Sequence, residues 1–174
     1  MKIGVIVGRF QSQRLTDGHK DLIKQSFNEN DKLIIFIGVY PRTPDFKHPL
    51  PFVIRKQFIG EYITSLIPWG DVNKSYEIVP FVDVFNLPLW NNNLDKKVEE
   101  LTSESDEVIL YGGRDSFIFG YSGKYKTKEI STTGDCSATE LRNQVLKTDL
   151  SNVDEKFREG IIFGVMYASG KIEA

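Results

Sequence analysis

The chain has 174 residues, with 22 Lys plus Arg against 24 Asp plus Glu, a formal net charge of −2 and 40 % hydrophobic residues. That near balance leaves no broad basic footprint for nucleic acid, no stretch approaches the roughly eighteen consecutive apolar residues of a membrane span, and the single cysteine, Cys136, excludes an internal disulfide framework or a cysteine-based metal cluster. The expectation is one compact α/β domain over residues 1–174 in a reducing cytoplasm, with the first strand entered directly and no signal-peptide layout ahead of it.

The run Ile3-Gly4-Val5-Ile6-Val7 is β-rich, apolar and unbroken by charge, and predicts a buried parallel strand over residues 2–8. From Gly18 onward Leu22, Ile23 and Phe27 recur at helical spacing, which predicts a helix over 18–28. Further strands are expected at 32–39, 75–81, 107–111 and 125–130, and further helices at 52–66, 92–101, 137–146 and 154–167. This alternation argues for a Rossmann-like, doubly wound parallel sheet of about five strands with helices on both faces. The loop 40–51 carries four prolines and reads as irregular but stiff. A last helix, about 152–168, with its apolar stretch Ile161–Tyr167, would pack on the sheet or form an oligomer interface.

Three clusters fall at predicted strand ends or helix starts. The first is Gly8-Arg9-Phe10-Gln11 followed by Thr16-Asp17-Gly18-His19. It sits at the carboxyl end of a strand, where open α/β sheets bind ligands, and at a helix N-terminus, whose free N–H groups and positive dipole end attract phosphate. The second is Lys47, His48 and Arg55. The third is Ser137-Ala138-Thr139-Glu140-Leu141-Arg142, in which Ser137 and Glu140 have the spacing of a capping box and Arg142 could reach phosphate oxygens. Taken singly, each also reads as an ordinary turn, surface loop or helix start.

Together, Thr16-Asp17-Gly18-His19 and Ser137-Ala138-Thr139-Glu140-Leu141-Arg142 resemble the paired T/HxGH and SxTxxR-like motifs of the nucleotidyltransferase superfamily. Gly8-Arg9-Phe10-Gln11 is similar to the GRFQ of archaeal-type nicotinamide mononucleotide (NMN) adenylyltransferases. Ile37-Gly38, Pro49 and Arg55 keep that family's IG…NPF…ER spacing, and Pro80, Asp83 and Trp90 match its P-x-x-D-x(6)-W segment. Tyr111-Gly112-Gly113 resembles a Y-S-G strand end bordering the adenosine pocket. There are departures: Thr16 stands where the family has a first His, as in phosphopantetheine adenylyltransferases, the loop from Gln11 to Thr16 is longer by two, and Arg114 replaces an Asn; no Nudix hydrolase domain of the kind some bifunctional relatives carry is expected.

The resemblance implies an enzyme that binds ATP and NMN and releases NAD and pyrophosphate. Gly8, Arg9, Phe10, Thr16, Gly18, His19, Gly112, Gly113, Ser137, Thr139 and Arg142 would hold ATP, with Thr16, His19, Arg9 and Arg142 assisting the transfer. Lys47, Arg55, Asp83 and Trp90 would hold the acceptor, Trp90 by stacking or, equally, serving as core. Mg²⁺ is expected on the ATP phosphates, with no protein metal cage required. No nucleic-acid or membrane partner is expected, and a homo-oligomer is compatible with the family. Open alternatives are another phosphorylated acceptor (nicotinic acid mononucleotide, phosphopantetheine or FMN), CTP in place of ATP, or a non-catalytic nucleotide sensor. Trp69, His48 and Cys136 read as packing, surface and spacer respectively.

Overall fold

A computed structural model describes residues 1–12, 14–39, 50–67, 73–114, 116–131 and 133. Five strands form one parallel sheet: β1 (Lys2–Gly8), β2 (Lys32–Val39), β3 (Ser75–Val82), β4 (Glu107–Gly112) and β5 (Lys126–Glu129), in the order β3-β2-β1-β4-β5. Three helices connect them, α1 (Asp17–Glu29), α2 (Phe52–Leu66) and α3 (Leu87–Leu101), and a 3₁₀ turn spans Phe117–Phe119. Among the described residues no helix is long and apolar enough to cross a membrane.

Beyond the charged residue that opens each, the central strands β1, β2 and β4 carry no charged residue, because both faces are covered. Ile35 and Ile37 of β2 face a cluster that includes Leu22, Ile23 and Phe27 of α1 and Phe58, Ile59 and Ile63 of α2. Ile34 and Phe36, one residue out of phase, join Val5, Phe81 and α3 residues Trp90, Leu94 and Val98 on the other side. With α1 and α2 on one face and α3 on the other, the chain winds outward from β1 to β3, then crosses back to β4. The strand order therefore reverses between β1 and β4, and the crevice at their carboxyl ends is where such sheets take ligands.

Strands β1 and β2 and helix α2 have the bounds expected from periodicity, β3 and β4 run one residue longer at their carboxyl ends, and β5 and α1 differ by one residue at each end. Helix α3 differs more: it begins at Leu87, not at residue 92. Asn86 caps it, its Oδ1 accepting the Leu89 N–H at 2.9 Å, and Pro88 fits the first turn because no N–H is needed there. That early start places Trp90 within a helix. The expected helices at 137–146 and 154–167, and the last helix at about 152–168, lie outside the described residues.

Candidate active site at the switch point

β1 ends in a turn that its own residues force. Phe10 has φ of 49°, the left-handed region that side chains with a Cβ disfavour. Its ring folds back over Gly8, where an added Cβ would lie 2.8 Å from Phe10 Cε2, and packs on the His19 imidazole with ring centroids 5.0 Å apart. Gln11 is buried beyond it and exchanges two hydrogen bonds with Leu50, its Nε2 donating to the carbonyl at 3.2 Å and its Oε1 accepting the N–H at 2.9 Å. The chain thus leaves the sheet along a path fixed on both sides.

Helix α1 opens with a reciprocal cap. Thr16 Oγ1 accepts the His19 N–H at 3.2 Å, and His19 Nδ1 accepts the Thr16 N–H at 3.3 Å. Burial lowers the His19 pKa from 6.5 to about 4, so the ring is neutral at pH 7. With Nδ1 occupied as an acceptor, the ring proton sits on Nε2. Thr16, having accepted through oxygen, keeps its O–H to donate. The signature therefore presents two neutral donors beside the free N–H groups of a helix start. Gly18 and His19 both line the cavity described below.

Arg9 leans the other way. Its Nε and Nη2 donate to Asp83 Oδ2 at 3.0 and 2.7 Å, spanning from the end of β1 to the residue just past β3. The side chain crosses Gly38 at the end of β2, where a Cβ would lie 3.3 Å from Arg9 Cγ and 3.8 Å from Asp83 Oδ2. Beneath this crossing Arg55 is only 3 % exposed. Its Nη1 donates to the carbonyls of Arg9 at 2.7 Å and Gly38 at 2.8 Å, tying the ends of two strands together. Desolvation lowers the guanidinium to about 10, which leaves it charged at pH 7.

These groups enclose a cavity of about 680 Å³, within the usual range for a small-molecule site. Gly8, Arg9, Phe10, Thr16, Gly18, His19, Asp83, Trp90 and Gly113 line it. Two expected site residues do not. Arg55 is spent on backbone carbonyls instead of facing the cavity, and Gly112 lies behind the wall, where a Cβ would come within 2.1 Å of Ser116 Oγ. Lys47, Ser137, Thr139 and Arg142, with His48, Trp69 and Cys136, lie outside the described residues. Thr133, the last described residue, is tied to α1, its N–H donating to Asp21 Oδ2 at 2.7 Å.

Trp90 is both wall and core. It is 8 % exposed, edge-on to Phe81 at 5.4 Å and tilted against Phe117 at 5.5 Å. Phe117, Phe85, Ser116 and Arg114 also line the cavity, and motif reasoning had assigned none of them a role. The available signal was positional: three of them follow the Gly112-Gly113 strand end at the switch point. Among the described residues no group of three or more His, Cys, Asp or Glu side chains could hold a metal ion.

No protein-family model matches the chain. It is 30 % identical over 145 residues to a protein of Picrophilus torridus named nicotinamide-nucleotide adenylyltransferase, covering 82 % of this chain and 78 % of that one. A protein of the same name from Methanococcus vannielii is also 30 % identical over 145 residues, covering 82 % and 76 %. Among solved structures, a bifunctional NMN adenylyltransferase/ADP-ribose pyrophosphatase from Francisella tularensis, complexed with AMP and a Mn ion, superposes with a TM-score of 0.70 at 21 % identity. That match covers 98 % of this chain but 54 % of the other, so the chain spans about half the length of that protein.

Proposed function

The chain belongs to the nicotinamide-nucleotide adenylyltransferase family, and on that premise we propose that it transfers the adenylyl group of ATP to NMN, yielding NAD and pyrophosphate. A phosphate oxygen of NMN attacks the α-phosphorus of ATP in line. One P–O bond forms to the acceptor as the bond between the α-phosphorus and the bridging oxygen breaks, and the electron pair leaves with pyrophosphate. No protein nucleophile is needed. The chain as a whole acts as one nucleotidyltransferase unit.

The observation that supports this most directly is the Thr16–His19 pair on the cavity wall, with a hydroxyl and an Nε2–H both free to donate to phosphate oxygens. Such donors stabilise charge that develops during transfer without reorganising. Gly18 lets a phosphate approach the helix start, where a side chain would obstruct it. Ser137, Thr139 and Arg142 are assigned to the same triphosphate and Gly113 to the adenosine side. Lys47, Asp83 and Trp90 are assigned to NMN. Arg9, drawn toward Asp83, serves the acceptor half rather than the β,γ end of ATP, and Arg55 holds the Arg9 backbone in place.

The donor set suits a metal that arrives with its substrate. The one carboxylate among the described lining residues, Asp83, is engaged by Arg9, so Mg²⁺ would be held by the ATP phosphates and water. Bound there, it supplies neutralisation of the leaving pyrophosphate. The Francisella tularensis relative's AMP and Mn ion accord with nucleotide and divalent-metal use.

Pyrophosphate release with Mg-ATP and NMN, alongside Mg-CTP and a panel of nicotinic acid mononucleotide, phosphopantetheine and FMN, tests the proposal. Release with ATP and NMN, equimolar with NAD, is the expected result. Release with another acceptor alone would reassign the substrate, and none at all would leave a nucleotide sensor. His19→Ala should lower the rate by about 10²–10³.

A further inference from the structure

We infer that Arg114 is a phosphate-binding residue for the nucleotide, a role that the matched motifs do not give it. The inference rests on the adenylyl-transfer reading of the same cavity. A polyphosphate carries several negative charges, and the described lining residues carry three charged side chains: Arg9, Asp83 and Arg114. His19 is neutral, its pKa held at about 4. Arg9 is matched by Asp83 and lies across Gly38 on the β2–β3 side of β1. Arg114 is therefore the cation among these lining residues that no described carboxylate pairs with, and it makes no hydrogen bond or ion pair with any described residue.

Its position fits the assignment. Arg114 follows β4, which pairs with β1 on the opposite side from β2. It thus stands across the switch-point crevice from the Arg9–Asp83 pair, which joins the ends of β1 and β3. The turn that carries it is closed by the Ser116 N–H donating to the Gly113 carbonyl at 3.2 Å. Gly112 allows that turn to fold against the strand, since any Cβ there would collide with Ser116 and Ile118. Arg114 is exposed on this turn, and its fork of donors can engage two phosphate oxygens at once.

The test is calorimetric titration of the full chain and its Arg114→Gln and Arg114→Lys variants with ATP, adenosine and NMN separately. Loss of a charge-assisted contact should weaken ATP binding by about tenfold to a hundredfold in the Gln variant. Adenosine and NMN binding should change less than about twofold, because neither contact involves the polyphosphate. Lys should restore part of the ATP affinity. Unchanged ATP binding overturns the assignment. An equal loss for adenosine would make Arg114 a base or ribose contact, and a loss confined to NMN would place it on the acceptor, each of which also overturns it. Arg114-dependent ATP binding in a protein that releases no pyrophosphate would sink the transfer reading and leave this one standing.

Discussion

His19 Nδ1 accepts the backbone N–H of Thr16 at 3.3 Å, which commits the neutral ring to carrying its proton on Nε2. The bond that starts the helix is thus also the bond that chooses the tautomer. Protonating Nδ1 would break the cap as well as charge a buried ring.

Stability should therefore depend on pH through this residue. Its pKa is 6.5 when unfolded and about 4 when folded. Between those values the unfolded chain binds more protons, so stability rises with pH across the window. The contribution is whole above 6.5 and is lost as pH falls toward 4. Denaturant midpoints at pH 7.5 and at pH 5 should differ more for the natural chain than for His19→Gln. Equal differences would show that burial of the ring is not acting on its titration.

Arg55→Ala should destabilise the fold by about 2–4 kcal/mol, because the carbonyls of Arg9 and Gly38 would each lose a donor in a buried setting. Urea denaturation reads this directly. A cost under about 1 kcal/mol, the scale of a surface contact, would mean that the guanidinium is not a clamp.

Asp83→Asn should act on the acceptor far more than on folding. Arg9 is 53 % exposed, so the lost pair contributes less than about 1 kcal/mol to stability. The Michaelis constant for NMN should rise about tenfold and that for ATP less than about twofold. If the ATP constant moves more, Arg9 works on the triphosphate and its pairing with Asp83 is incidental.

At Phe10 the usual ranking of truncations should invert. Both Phe10→Ala and Phe10→Gly lose the ring that covers Gly8 and touches His19. Only glycine relaxes the positive φ, so the Gly variant should be the more stable by about 1 kcal/mol. Chemical denaturation of the two variants decides it; a more stable Ala variant would mean that the backbone relaxes once the ring is gone.

The strands were readable because a doubly covered strand must be apolar throughout, and β1 and β2 announce themselves in that way. The first turn of α3 was not, because Pro88 looks like a break until Asn86 is seen to cap the helix around it. The sequence Thr16-Asp17-Gly18 reads as a cap, but its reciprocal half was not legible for a related reason: the capping-box pattern asks for Glu or Gln at the third helical position, and here an imidazole serves. Motif spacing put Arg9, Thr16, Gly18, His19, Asp83, Trp90 and Gly113 around one cavity. It could not show that Arg9 reaches Asp83 across 74 positions of sequence, nor that Arg55 turns inward, since an arginine that binds carbonyls and one that binds phosphate have the same letter.

Trp90 has one more consequence. The chain holds two tryptophans, Trp69 and Trp90, and the second is a buried indole ringed by phenylalanines with one edge on the cavity. A Trp69→Phe chain would make it the sole tryptophan emitter. Its fluorescence, blue-shifted in the empty protein, would change on filling of the cavity, so the enzyme carries its own optical gauge of occupancy and needs no attached dye.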